Sequence, residues 1–470
     1  MDARLADDRG LPHNQSRGTT SVPRPQQWAI ELDYMRILQI TAGAANMYCG
    51  SCLHDNAQAA ELIRQGHDVM LVPLYTPTKT DEANVSQSRV FFGGISIYLQ
   101  QSSSFFRKTP RFLDRLWDSK FAINAATSRG IQTSPQKLGE LTVATLKGEH
   151  GDLKKEFDKL IEWLVTQPKP DLVIIPYTLL ISLAEPLKQA LDAPILCGLQ
   201  GEDLFLEGLA EPWRTEALNL IKSQTHHVDR FLATSHFYAR LMSSYLDIPK
   251  SKIEVHPLGV NLTGLDPRTE YPAPKAPVTI GYFARIAPEK GLHVLAEAVA
   301  ILRREFPKLQ MAAAGYLPPE HRTYLKECHR MTQFDYRGEL TREGKASFLR
   351  EIDINCVPSP YADPKGLYVL ESMAVGTPVA SPNHGAFSEL IEATGGGVLY
   401  QRSDPRDVAV QLAELIRKPA RFRELGEKGA SAVRRQYSIQ ASASRAVETY
   451  RAILENGGVQ RGPGRNLMAQ

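Results

Sequence analysis

The stretch that decides the fold is Asp363-Pro-Lys-Gly366-Leu-Tyr-Val-Leu-Glu371-Ser-Met-Ala-Val-Gly-Thr-Pro378-Val379. A glycine opens a helix between two acids that lie eight positions apart, and a Gly-Thr-Pro turn then leads into an apolar strand. A helix that begins at Gly366 points unpaired backbone N–H groups and a partial positive charge at whatever lies before it. Such a terminus suits a phosphate. The stretch therefore predicts an anion site with a carboxylate on either side, each suited to a hydroxyl-rich group.

Around this stretch, short apolar strands alternate with amphipathic helices along most of the chain. Near-continuous apolar strands interleaved with helices predict parallel sheets covered on both faces. Strands are predicted in the first half at 36–40, 69–74, 172–176, 194–198, 230–234 and 253–257, and in the second half at 278–283, 310–314 and 353–358. Helices are predicted at 56–65, 153–166, 179–191, 291–306, 319–330, 404–417, 419–436 and 439–454.

Four prolines between Asp266 and Pro277 interrupt the alternation and predict a linker between two domains. Two such domains also suit a chain of 470 residues, which is too long for one core. The segment 76–170 fits the pattern poorly and is interpreted as an insertion near the site, where it would select a second substrate. The predicted boundaries are a disordered leader at 1–33, domains at 34–265 and 278–437, the linker at 266–277, a helix at 438–456 that crosses back to the first domain, and a tail at 457–470.

Composition narrows the function classes. A net charge of +3, from 55 basic and 52 acidic residues, gives no global field that would attract nucleic acid. No run of eighteen apolar residues occurs, and the first residues lack the apolar core of a signal peptide. Five cysteines spread along the chain favour reduced thiols and a cytoplasmic location.

A second motif, Gly281-Tyr-Phe-Ala-Arg285-Ile-Ala-Pro-Glu-Lys290-Gly291, places two cations five positions apart between a strand and a helix. Fixed positive groups of this kind stabilise the negative charge of a leaving diphosphate. The alternative is that Arg285 and Lys290 are ordinary solvated side chains. A third motif follows the first strand and carries Gly43, Gly50 and His54 in a loop that leads into a helix.

Cys49-Gly-Ser-Cys52 lies within this third motif and leaves three interpretations open. A redox dithiol or half of a zinc site is one class, although no second Cys-x-x-Cys completes four ligands. A cysteine protease nucleophile is another, although Leu53 stands where that segment has Trp or Tyr. Packing of small residues in a tight loop is the favoured interpretation.

Together the motifs resemble glycosyltransferase family 4, the retaining group 1 glycosyltransferases, whose fold is two Rossmann-like parallel-sheet domains facing a central cleft (GT-B). The resemblance implies that Asp363 lies against the donor sugar, although this family usually has Glu there, and that Glu371 holds the ribose. It also implies that Arg285 and Lys290 bind the donor diphosphate. Further contacts implied at the donor are Gly366, Leu367 and Gly50, and acceptor or loop candidates are Gly43, His54, Glu202 and Asp203, the last two equally suited to helix capping.

The predicted function is therefore transfer of a sugar from a nucleoside-diphosphate sugar to a hydroxyl acceptor, with retention of configuration and without a covalent intermediate. No metal and no cofactor are expected, since the nucleotide-sugar is a substrate. The alternatives are an epimerase or oxidoreductase of the same shape, and a binding module that does not consume its ligand. The donor base and sugar, the acceptor, the oligomeric state and the start at Met1 or Met35 stay open, as does peripheral contact with the inner membrane.

Overall fold

A computed structural model describes residues 34–43, 50–78, 80–92, 135–268 and 277–456. Its first half contains a parallel sheet of six strands in the order β2-β1-β3-β4-β5-β6, which we call the N-lobe sheet. The strands are β1 Arg36–Thr41, β2 Asp68–Pro73, β3 Leu172–Ile175, β4 Ile195–Leu199, β5 Arg230–Ala233 and β6 Ile253–Val255. All six lie within two residues of the strands predicted for this half.

The second half contains a parallel sheet of six strands in the order β12-β11-β10-β7-β8-β9, which we call the C-lobe sheet. The strands are β7 Thr279–Phe283, β8 Gln310–Ala314, β9 Asp335–Tyr336, β10 Ile354–Cys356, β11 Val379–Pro382 and β12 Gly397–Tyr400. The predicted fold class, α/β with two parallel sheets, is confirmed.

Helices cover the sheets, and this is why the strands carry apolar residues at successive positions. Every residue of β3 and of β4 is buried, as expected for strands packed on both faces. In the described residues the helices are α1 Gly50–Arg64, α2 Pro135–Lys147, α3 Lys154–Leu164, α4 Ala184–Leu191, α5 Glu202–Glu207, α6 Trp213–Gln224, α7 His236–Tyr245, α8 Leu292–Leu302, α9 Arg322–Met331, α10 Arg342–Glu351, α11 Leu367–Ala374, α12 Ala386–Thr394, α13 Pro405–Ile416, α14 Pro419–Gln436 and α15 Ile439–Asn456. None of them is long and apolar enough to cross a lipid bilayer.

The last helix, α15, packs against the N-lobe. Its apolar side chains share a core with strands and helix α1 of that lobe, where Tyr450 is fully enclosed. The chain returns through a short bridge in which Val260 N donates to Tyr437 O and Ile439 N donates to Val260 O, both at 2.8 Å. The C-terminal helix therefore joins the two lobes a second time, after the segment around Asp266.

Two helical predictions differ in detail. The helix predicted at 179–191 is divided into a 3-10 helix at Thr178–Leu183, which is kinked at Leu180 (φ −112°, ψ 15°), and helix α4. Helix α1 begins at Gly50, six residues before the predicted start, so Gly50 and His54 lie on its first turns and not in a loop. Residues 93–134 of the predicted insertion, the leader, most of the linker and the tail lie outside the described residues, and the domain boundaries stay predictions.

Candidate active site

The loop before helix α11 forms an anion-binding turn that is filled by a side chain of the protein itself. Asp363 Oδ1 accepts hydrogen bonds from the backbone N–H groups of Lys365 (2.9 Å) and Gly366 (3.2 Å). Gly366 has φ +64°, and a Cβ there would lie 2.6 Å from Leu390 Cδ1, so the turn requires glycine. The predicted positive helix terminus is present, and the carboxylate of Asp363 occupies it.

Lys290 supplies the opposite charge. Its ammonium donates to Asp363 Oδ2, and Asp363 is only 6% exposed. Burial alone would raise the pKa of Asp363, but the Lys290 ammonium and the two backbone N–H groups outweigh burial, so the pKa lies below its ordinary value. The ammonium also lies 5.6 Å from the ring centre of Tyr368, within cation–π distance. The structure thus brings the two predicted residues into direct contact.

Arg285 precedes Lys290 by five residues and is more exposed. Its guanidinium donates to Glu289, four residues later, and its side chain is 49% exposed. An exposed ion pair of this kind costs little to exchange for another anion. The arrangement is compatible with both interpretations of Arg285, as a solvated side chain and as a ligand of a diphosphate.

Glu371 lies on the buried face of α11 and is already paired. Its Oε1 accepts from Lys345 Nζ at 2.7 Å, and the same ammonium lies 3.2 Å from Asp81 Oδ2 of the N-lobe. No local sequence pattern indicates that Lys345 and Asp81 meet, because 264 residues separate them. Lys345 interrupts the apolar face of a helix, and Asp81 lies in the segment that fits the pattern of strands and helices poorly.

The N-lobe lies directly against this loop. Thr234 Oγ1 donates to Pro364 O at 2.8 Å, and Lys365 Nζ donates to Ser51 Oγ on the first turn of α1 at 2.5 Å. Gly50 and Leu367 face each other here, since a Cβ at Gly50 would lie 4.0 Å from Leu367 Cδ2. The predicted donor contacts of the two lobes therefore meet at one place.

The two acids at the start of α5 differ from each other. Glu202 is buried and accepts from the Thr178 backbone and hydroxyl through one oxygen, and from Gln200 N and Tyr238 OH through the other. All of these bonds lie within the N-lobe, and none of them caps α5, whose N-cap residue Gly201 has no side-chain cap hydrogen bond. Asp203 instead accepts from Tyr361 OH of the C-lobe at 2.9 Å and so bridges the lobes.

His54 lines a cavity of about 40 Å³ at the carboxyl end of the N-lobe sheet. It is 7% exposed, and neither ring nitrogen has a hydrogen-bond partner among the described residues. Thr234, which also lines the cavity, holds the loop at Pro364, so the cavity adjoins the Asp363 turn. Cys52 is buried on the first turn of α1, and Cys49 lies outside the described residues.

Two family models match this chain, and each covers one lobe. The model described as glycosyl transferase 4-like domain matches residues 56–259, and the model described as glycosyl transferases group 1 matches residues 267–432. The chain belongs to the group 1 glycosyltransferases. The family resemblance predicted from the motifs is confirmed.

Similar proteins agree with this family. The D-inositol 3-phosphate glycosyltransferase of Segniliparus rotundus is 27% identical over 243 residues, which are 49% of this chain and 53% of that protein. The chain spans about half the length of the curated relatives it matches.

Solved structures show the fold. Sucrose-phosphate synthase from Thermosynechococcus elongatus superimposes with a TM-score of 0.67 over 90% of this chain and 100% of that chain, at 18% identity. The Anabaena protein HepE, solved in complex with UDP-glucose, gives a TM-score of 0.60 over 89% of this chain and 100% of that chain, at 15% identity. The predicted GT-B arrangement of two Rossmann-like domains is therefore confirmed.

Proposed function

We propose that this group 1 glycosyltransferase moves a sugar from a nucleoside-diphosphate sugar to a hydroxyl acceptor, with retention of anomeric configuration and without a covalent intermediate. The observation that carries the proposal is the Lys290–Asp363 pair at the N-terminus of α11, directly against the N-lobe. The complex of HepE with UDP-glucose, in a protein of the same fold, supports a nucleotide-sugar as donor.

In the proposed reaction the bond between the anomeric carbon and the phosphate oxygen breaks, and its electron pair stays on the leaving diphosphate. Lys290, the N–H groups at the start of α11 and Arg285 are the groups that neutralise the charge that develops there. These groups all belong to the protein, and no metal ion enters the proposal. Each charge-assisted hydrogen bond contributes about 1.5–3 kcal/mol, which corresponds to roughly tenfold to hundredfold in rate.

Asp363 orients the donor sugar in this scheme and does not attack it. One of its oxygens already accepts two backbone N–H groups and the other accepts the Lys290 ammonium, which makes the carboxylate a weak nucleophile. The acceptor oxygen therefore forms the new bond to the anomeric carbon on the face that the diphosphate leaves. Its proton passes to the departing phosphate oxygen, and Glu371 binds the ribose throughout.

The test is a panel of UDP-, GDP- and ADP-sugars with the full chain, read first by the shift in melting temperature and then by release of nucleoside diphosphate. A ligand at one hundred times its Kd stabilises the folded state by about 2.7 kcal/mol, which gives a measurable shift. We expect one donor class to bind, and its consumption to require a hydroxyl acceptor. Nuclear magnetic resonance of the product then gives the anomeric configuration.

The other outcomes distinguish the alternatives. Turnover without an acceptor would favour an epimerase, and binding without consumption would favour a non-catalytic module. The absence of a shift with every donor would refute the proposal. Lys290→Ala should abolish transfer. Lys428→Ala is its matched control, because Lys428 is also ion-paired within the C-lobe, 2.6 Å from Glu424, but lies on the exposed side of α14.

A further inference from the structure

Lys345 is a lysine on the apolar face of a helix. The buried residues of α10 are Lys345, Ala346, Phe348 and Leu349, and Lys345 is 8% exposed. A buried ammonium is costly unless it is paired with anions. Its presence at a position that an apolar residue would fill therefore indicates a specific electrostatic role.

The partners of Lys345 come from both lobes. Its ammonium donates to Glu371 Oε1 at 2.7 Å and to Asp81 Oδ2 at 3.2 Å, so one cation lies between two carboxylates. Burial would lower the pKa of Lys345, but Glu371 and Asp81 outweigh it and raise the pKa above its ordinary value. The ammonium therefore stays charged and binds both acids.

The N-lobe acid is held in place by helix α1. Asn56 Nδ2 donates to Ala83 O and Val85 N donates to Asn56 Oδ1, both at 3.0 Å, which anchors the segment that carries Asp81 and Glu82. Because α1 directly follows the predicted acceptor loop, a displacement of this helix would move Asp81 relative to Lys345.

Arg342, one turn before Lys345, adds a second set of bonds to the same region. Its guanidinium lies 3.0 Å from Glu82 Oε1 and donates to the carbonyl oxygens of Asn261 and Thr263, both at 2.8 Å. Those carbonyls belong to the segment that connects the lobes. Helix α10 is thus tied to the N-lobe, to the connection and to the donor-site acid Glu371.

We propose that Lys345 is a positioning residue for Glu371, and that Asp81 makes this positioning depend on contact between the lobes. The inference rests on the proposed role of Glu371 at the ribose. Lys345 fixes one oxygen of Glu371 and so orients the other toward the ribose hydroxyls. Because Asp81 shares the Lys345 ammonium, Glu371 stays a strong hydrogen-bond acceptor. Asp81 reaches the ammonium only when the N-lobe lies against α10.

The experiment measures how strongly the protein prefers ribose. Dissociation constants are determined by calorimetry for UDP, GDP and ADP and for their 2′,3′-dideoxy forms, with the wild type and with Lys345→Met, Lys345→Arg, Asp81→Asn and Glu371→Gln. Glu389→Gln is the matched control, because Glu389 is also a carboxylate that joins the lobes, through Phe237 N at 2.5 Å, but does not contact Lys345. The ratio of the two constants is the readout, since a general loss of stability lowers both affinities together.

We expect the wild type to prefer the ribose form by about tenfold to hundredfold, as for charge-assisted hydrogen bonds. Lys345→Met and Glu371→Gln should reduce this preference below about threefold, Lys345→Arg should restore part of it, and Asp81→Asn should give an intermediate ratio. Glu389→Gln should keep the wild-type ratio.

The inference is overturned if Glu371→Gln loses the ribose preference while Lys345→Met keeps it, and the proposed function then still stands. An unchanged ratio in Asp81→Asn would refute the statement that the positioning of Glu371 depends on contact between the lobes. This result does not require that Lys345→Met folds. A wild type that binds none of the three nucleotides would refute the proposed function and this inference with it.

Discussion

The Lys290–Asp363 pair allows stability and activity to be separated by a double-mutant cycle. The side chains are 16% and 8% exposed, so the pair is largely removed from water. Removal of one partner from a buried pair costs about 3–5 kcal/mol, whereas replacement of both charges is often nearly neutral. Because solvent still reaches Lys290, we expect the lower end of this range, about 3 kcal/mol for Lys290→Met alone.

The cycle consists of Lys290→Met, Asp363→Asn and the double variant. We expect each single variant to lose about 3 kcal/mol of unfolding free energy, and the double variant to lose about as much as one single variant and not the sum of both, which corresponds to a coupling energy of about 3 kcal/mol. All three should lose sugar transfer, and in the double variant no cation is regained for the diphosphate. Urea unfolding followed by circular dichroism gives the energies, and diphosphate release gives the activity.

The pH dependence provides an independent check of the same pair. The folded-state pKa of Asp363 lies below its ordinary value, so the stability it contributes is present above the unfolded pKa and is lost as pH falls through the folded pKa. The difference in stability between the wild type and Lys290→Met should therefore shrink as the solution is acidified toward pH 3. A coupling energy below about 0.5 kcal/mol, or a difference that does not depend on pH, would refute the description of the pair as desolvated and charged.

Two further predictions concern the N-lobe. Burial, the neighbouring His54 and Arg445 lower the pKa of His256 to about 3. Between about pH 3 and 6.5 the unfolded state therefore binds more protons than the folded state, and stability rises with pH. The rise in unfolding free energy from pH 5 to pH 7 should be about 2 kcal/mol smaller in His256→Gln than in the wild type, and an equal rise would contradict the assignment. Gly43 has φ +75°, and a Cβ there would lie 1.9 Å from Thr76 O, whereas Gly66 has φ +96° and no atom within 4 Å of such a Cβ. Gly66→Ala should therefore cost about 1 kcal/mol of unfolding free energy, and Gly43→Ala should cost more and lower the melting temperature further. Equal melting temperatures of the two variants would show that the Thr76 contact relaxes freely.

Most strands could be predicted because they carry their own signal, whereas β12, in which only two of the four residues are buried, was not predicted. A run such as Leu172–Ile175 is apolar at every position, and only a strand covered on both faces buries all four side chains. Helices such as α10 were missed because their apolar face is interrupted by Lys345, and the partner that makes this lysine acceptable lies in another lobe. The boundary between loop and helix at Gly50 was missed because the first turn, Gly-Ser-Cys, has weak helical propensity and is held by tertiary contacts.

The candidate site, like the fold, could be predicted from the sequence only in part. The pattern around Asp363 and Gly366 predicted an anion site, and the structure has the predicted helix terminus. The sequence did not show that the terminus is already occupied by Asp363, or that Glu371 is paired, because both depend on cations that are distant along the chain: Lys290 lies 73 residues from Asp363. Local periodicity predicts elements, but it carries no information on which charges meet.

The contacts between the lobes also indicate how a donor could enter. In the described part of the chain each apolar core stays on one side of the cleft, with one core in the C-lobe, one in the N-lobe and one between the N-lobe sheet and α15. Many bonds that cross the cleft are polar, among them those from Thr234 to Pro364, from Tyr361 to Asp203 and from Lys345 to Asp81. A neutral bond of this kind contributes about 1 kcal/mol net and a bond to a charged group about 1.5–3 kcal/mol, because water replaces it when it breaks. Since separation exposes little apolar core, the lobes can part at modest cost, and a diphosphate that takes over the Lys290 ammonium would compensate for part of it.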